Sequence, residues 1–252
     1  MTGGRGRRDL VAGAVGVLGE LLITAGVLLG LFVVWQLWWT DVVADREQAE
    51  LLDDLTWLQE PVAASPAPEP TADPRRRDAA PVIAEPAVGA TFATLRVPRW
   101  GADDLHAISQ GTSRSQVLDR LGIGHYVGSA MPGGVGNFAV AGHRVTYGKP
   151  FHRIEELVVG DALVVQTPET WYVYRVTGTE VVWPRDVEVV APVPNQPDAV
   201  PTEAVMTLTT CHPMYSARQR YVVHAALEYW MPVADGTPAE LTDPRAGLGG
   251  GA

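Results

Sequence analysis

Cys211 is the only cysteine among 252 residues, and it closes a run, MTLTTC, in which Met206, Leu208 and Thr210 alternate with Thr207, Thr209 and Cys211. In an extended chain that alternation sets the thiol on one face with two threonines. After a loop containing Pro213 and Ser216, a second strand-like run, RYVVHAALEYW, begins at Arg220. If the two runs pair antiparallel, thiol and guanidinium meet at one rim of a sheet, an arrangement that favours the thiolate. A thiol is a strong nucleophile once a base shares its proton, and six histidines are available. His143 follows the apolar run NFAVAG at a strand end, where loops tend to carry catalytic groups. His212 adjoins the thiol and His224 shares a strand face with Arg220, so spacing alone leaves all three histidines open. Arg218 competes with Arg220 in the same way.

The elements that would position these groups occupy only part of the chain. Residues 1–9 hold three arginines, and an apolar region, 10–40, follows them. Its core, residues 21–39, is 19 residues long with Gln36 as its one strongly polar member. At about 1.5 Å per residue that length crosses a hydrocarbon core of roughly 30 Å. A cleaved signal peptide is the competing reading, but its apolar region is shorter and ends in small residues. Here Trp35, Trp38 and Trp39 crowd the end, as at a membrane interface. The reading is an uncleaved single-pass anchor, and the arginines before it put the N-terminus in the cytoplasm and the rest outside. In an extracytoplasmic protein a cysteine left unpaired is either a free reactive thiol or an intermolecular bridge, with a buried core cysteine as the bland alternative. The flanking arginine and threonines favour the reactive thiol.

Residues 41–60 have leucines at 51, 55 and 58 and many acids, which reads as a solvated juxtamembrane helix without a partner. Residues 61–90 carry seven prolines and an Arg75-Arg76-Arg77 run, and read as a linker holding the next domain away from the bilayer. From residue 91 to 232 short strand-like runs dominate, at 93–97, 107–109, 137–142, 162–167, 171–177, 180–182, 187–190, 205–211 and 220–230. A short helix is expected at 113–121, behind an N-cap serine, and another helical turn near 151–157. Such a pattern describes a closed antiparallel barrel or a sandwich. Residues 233–252, ending GLGGGA, read as a disordered tail.

Net charge of −10 and a pI near 5 argue against a nucleic-acid binder. No cysteine pairs of zinc type and no Gly-rich phosphate loop occur, so no metal or other cofactor is expected. No acidic cluster makes a persuasive calcium site either.

The five residues Thr207-Leu208-Thr209-Thr210-Cys211 resemble the TLxTC signature of sortases, cysteine transpeptidases that attach proteins to Gram-positive cell walls. Residues 137–144, NFAVAGHR, resemble the strand carrying that family's histidine, and TYGKPF, GHYVGSAMPG and CHPMYSARQRY resemble class E members. The resemblance covers residues 91–230 and implies an all-β, closed eight-stranded barrel with short helices. It implies catalytic roles for Cys211, His143 and Arg220. It also implies a substrate with a C-terminal LAxTG- or LPxTG-type sorting signal, and a peptidoglycan or lipid-linked precursor amine as acceptor. Tyr126 and Thr209 are candidates for the substrate groove, and a lone cysteine on such a barrel points to a monomer. An L,D-transpeptidase would instead show a Ser-His-Gly-Cys-like motif. A catalytically silent anchored binding module would leave Cys211 inert.

Overall fold

The computed structural model describes residues 4–59, 73–243 and 245–249. Eight strands close a barrel: β1 (Thr91–Arg96), β2 (His106–Gln110), β3 (Ile123–His125), β4 (Gly136–Ala141), β5 (Ala162–Gln166), β6 (Thr170–Val182), β7 (Ala204–His212) and β8 (Gln219–Pro232). Around the barrel the order is β1-β2-β3-β4-β7-β8-β6-β5, and β5 pairs back onto β1. The sheet is mixed, not purely antiparallel, because β2 with β3 and β4 with β7 run parallel.

Alternation decides which side chains fill the interior. Phe138 and Val140 of β4, Met206 and Leu208 of β7, and Val223 and Ala225 of β8 join one core cluster with Leu95, Ile108, Leu163 and Tyr174. Because strand side chains alternate, Thr207, Thr209 and Cys211 then lie on the outer face. A second apolar cluster lies among Ala162, Val164, Trp171, Val173, Tyr229 and Met231, and Val233 and Leu241 pack on it.

The structure differs from the sequence reading in further places. Residues 187–190 form a 3-10 turn between prolines and not a strand. Residues 171–177 and 180–182 belong to one strand, β6, whose register shifts near Gly178. The three-residue β3 carries too little pattern to read from sequence. The expected disordered tail folds back as far as residue 249. A short helix, Ala239–Thr242, delivers Glu240 to Arg175, and Gly247 accepts the Ala162 N–H. Finally, residues 73–90 of the expected linker lie against the barrel. Arg76 pairs with Trp230, Ile83 packs on the core, and Pro81 accepts the Tyr172 hydroxyl at 2.6 Å. The rest of that linker, 61–72, falls outside the described residues, as do 250–252.

The N-terminal helix α1 runs from Gly4 to Asp54. Its stretch Val15–Trp35 is long and apolar enough to cross a membrane, with its described apolar side chains exposed. Beyond it, α1 does have a partner. Ala44 is buried, and Asp41 forms an ion pair with Lys149 at 2.6 Å.

Candidate active site

Three adjacent strands present the chemistry. On β7 and β8, Cys211 stands directly opposite Arg220, in a ladder that also pairs Thr209 with Val222 and Thr207 with His224. Directly opposed residues on one face have Cβ atoms about 4.5–5.5 Å apart, so thiol and guanidinium are neighbours. On the other side β4 runs parallel to β7, with Ala141 beside Thr209. The Gly142 N–H donates to the Thr209 carbonyl at 3.2 Å, and the Thr210 hydroxyl donates to the Gly142 carbonyl at 2.7 Å. That alignment continues to bring His143 alongside Cys211. Gly142 is needed for packing, because a Cβ there would lie 2.8 Å from the Phe151 ring.

A cleft of about 640 Å³ opens over these strands, lined by Cys211, His143, Arg220, Tyr126, Thr209 and Tyr215 among others. All five residues singled out from the sequence therefore face one cavity. The Tyr126 hydroxyl and Thr209 Oγ1 are 3.0 Å apart, a hydrogen bond that ties the turn after β3 to the strand carrying the thiol. Arg220 Nη1 donates to the carbonyls of Ala217 and Gln219, both at 2.9 Å, which holds its head at the mouth of the β7–β8 loop.

The competing residues are used elsewhere. His212 Nδ1 lies 3.0 Å from Glu155, and His224 bridges Thr207 at 3.0 Å and Glu180 at 2.8 Å. Arg218 rests over the Trp183 ring, 5.6 Å from its centroid. None of the three lines the cleft. His125 is buried, and burial holds its imidazole below the ordinary value.

Sequence reasoning missed three residues. Asp119 Oδ1 accepts a hydrogen bond from His143 Nε2 at 2.6 Å, while the Tyr147 ring lies 5.1 Å from the imidazole. Asp119 sits 24 residues before His143 on a separate helical turn, so no local pattern links them. Arg144, only 1% exposed, donates from Nη1 to the Cys211 carbonyl at 3.3 Å and pairs through Nη2 with Glu155 at 2.6 Å. The Arg144 hydrogen bond holds the Glu155 carboxyl below its usual range, against the opposing effect of its partial burial. Arg144 was visible in GHR, but nothing in the sequence said that it turns inward. Among the described residues no group of three His, Cys, Asp or Glu side chains could hold a metal ion.

Residues 95–228, more than half the chain, match the sortase domain family. The chain belongs to the sortase family. Over 241 residues this sortase is 40% identical to sortase SrtE2 of Streptomyces coelicolor, covering 90% of this chain and 88% of the relative. The SrtA sortase from Actinomyces oris shares 48% identity and a TM-score of 0.62, over 65% of this chain and 94% of that one. Sortase E1 of Streptomyces coelicolor, solved with a tripeptide in its active site, shares 38% identity and a TM-score of 0.55, over 60% of this chain and 95% of that one. The barrel expected from the sequence is thus a sortase barrel, and the chain is a cysteine transpeptidase with class E relatives.

Proposed function

We propose that this sortase is a single-pass membrane enzyme that cuts an LAxTG- or LPxTG-type sorting signal between threonine and glycine and joins the threonine to a peptidoglycan amine. The observation that carries this reading is the convergence of Cys211, His143 and Arg220 on one cleft from three neighbouring strands. The Cys211 sulfur attacks the threonine carbonyl carbon, and the proton it gives up passes to His143. The carbon–nitrogen bond to glycine then breaks, His143 protonates the departing amine, and a thioester stays on Cys211. An incoming amine attacks that thioester, its proton returns through His143, and the thiol is released with a new amide formed. Arg220 is permanently charged and presents a fork of donors, which suits it to hold the substrate carbonyl or the oxyanion. Tyr126 and Thr209, on the thiol side of the cleft, contact the signal peptide. The arginines ahead of the apolar helix set the N-terminus in the cytoplasm and the barrel outside.

The test uses the full-length chain in detergent micelles with fluorogenic LAxTG and LPxTG peptides. Cleavage and a protein mass increased by the peptide up to threonine are expected for the wild type and not for Cys211→Ala. Absence of both, with Cys211 of the folded protein inert to iodoacetamide, overturns the reading in favour of a silent binding module.

A further inference from the structure

We propose that Asp119 is the positioning residue for His143, fixing which ring nitrogen meets the thiol; this rests on the sortase reading of His143 given above. The Asp119 Oδ1 to His143 Nε2 distance is 2.6 Å, and the two side chains are only 21% and 14% exposed. An ionised carboxylate only accepts hydrogen bonds, so the proton in this contact resides on Nε2. In the neutral ring the lone pair then belongs to Nδ1. Nδ1 becomes the atom that takes the proton from Cys211 and returns it to the leaving amine. A ring flip would put Cε1 where Nε2 now lies and Cδ2 where Nδ1 lies, and it would break the bond to Asp119.

The surroundings hold this arrangement from several sides. Asp119 starts the turn Asp119–Leu121, which continues Arg114–Leu118. That segment is pinned by fully buried Val117, whose N–H donates to the Ser113 carbonyl at 2.9 Å. Leu118, next to Asp119, lines the same cleft as His143. The Tyr147 ring lies beside the imidazole with its plane inclined by 34°, which limits rotation out of the cleft. Arg114 reaches Asp119 only at 3.7 Å from an exposed position, so His143 is the closer partner of the carboxylate. The logic is that of a carboxylate orienting a catalytic imidazole, here supplied by a helical turn between β2 and β3.

The test compares wild type with Asp119→Asn, Asp119→Ala and Asp119→Glu in the full-length chain, using the same peptides. Asp119→Asn preserves shape but allows the amide to present an N–H to the ring, so the wrong tautomer is favoured. The expected result is a fall in kcat of about tenfold or more for Asn and Ala, with KM changed less than about threefold and part of the activity recovered in Asp119→Glu. Side-chain nitrogen NMR of the wild type, with His143→Gln for assignment, is expected to show the Nε2–H tautomer. Unchanged kcat in a folded Asp119→Asn variant, or a neutral His143 carrying its proton on Nδ1, overturns the role. Wild-type cleavage that is absent in Cys211→Ala secures the sortase reading in the same experiment, so either negative result counts against Asp119 alone.

Discussion

Arg144 follows the histidine of the cleft in sequence and is buried, and its guanidinium holds the backbone of the nucleophile. Breaking a buried charge-assisted contact costs about 1.5–3 kcal/mol, so Arg144→Met is expected to lower stability by that order, measured by denaturant unfolding. Alkylation of Cys211 should slow in the same variant, because the carbonyl of residue 211 loses its donor. Glu155, the partner, is less costly to change, since its side chain is 43% exposed and solvent screens the pair. Its depressed carboxyl gives a sign that can be checked. The unfolded chain takes up the proton first, so the pair's stabilisation is complete above the unfolded carboxylate value of about 4.3 and is lost as pH falls through the lower folded value. Melting curves between about pH 6 and 3 are expected to fall more steeply for wild type than for Glu155→Gln. At this scale the meeting of Cys211, His143 and Arg220 at one cleft was legible through the TLxTC and GHR strings, which lie within short windows, whereas spacing alone left His212, His224 and Arg218 open. Asp119, Arg144 and Glu155 were not, because their partners are brought to them only by the closed sheet.

The elements that were legible share a period. β7 and β8 are long, nine and fourteen residues, and the alternation from Met206 to Thr209 assigns the two faces of β7 around the thiol. The run VEVV at 187–190 has the right composition for a strand but lies between prolines with no free edge to join. The tail misled for the opposite reason, since its glycines and prolines hide Leu241 and Glu240, which reach the barrel. Glu240 is 4% exposed and accepts from Arg175 Nη2 and the Tyr229 hydroxyl, both at 2.5 Å. Removing that carboxylate leaves the buried Tyr229 hydroxyl and the part-buried Arg175 Nη2 without this acceptor, a loss of about 1–3 kcal/mol. Glu240→Ala is therefore expected to melt lower by roughly 2–12 °C, whereas a tail with no contacts would leave the melting temperature unchanged.

At the scale of the whole molecule, the unexpected contact is the one between α1 and the barrel. It was not legible because small residues and polar tips make it. A Cβ on Gly122 would lie 2.6 Å from Gln48 Oε1, and one on Gly148 would touch Ala44 at 3.4 Å, while both glycines have positive φ. The Asp41–Lys149 pair adds little by itself, because Lys149 is 43% exposed. Close packing of Ala44 is what seats the helix beside the loop that begins at His143. Asp41 lies only two residues beyond Trp39, about 3 Å along the helix axis. If Val15–Trp35 spans the membrane as proposed, the loop next to the cleft sits at the bilayer surface, and the following segment cannot set the height of the domain. Ala44→Glu, which forces a charge into that contact, is expected to release the helix and speed tryptic cleavage after Arg46. In vesicles, wild type should process a lipid-anchored signal peptide faster than a soluble one, and Ala44→Glu should lose that advantage while cutting the soluble peptide at the wild-type rate. Equal anchored-to-soluble ratios for the two proteins would mean that the seat of α1 does not govern where the cleft meets its substrate.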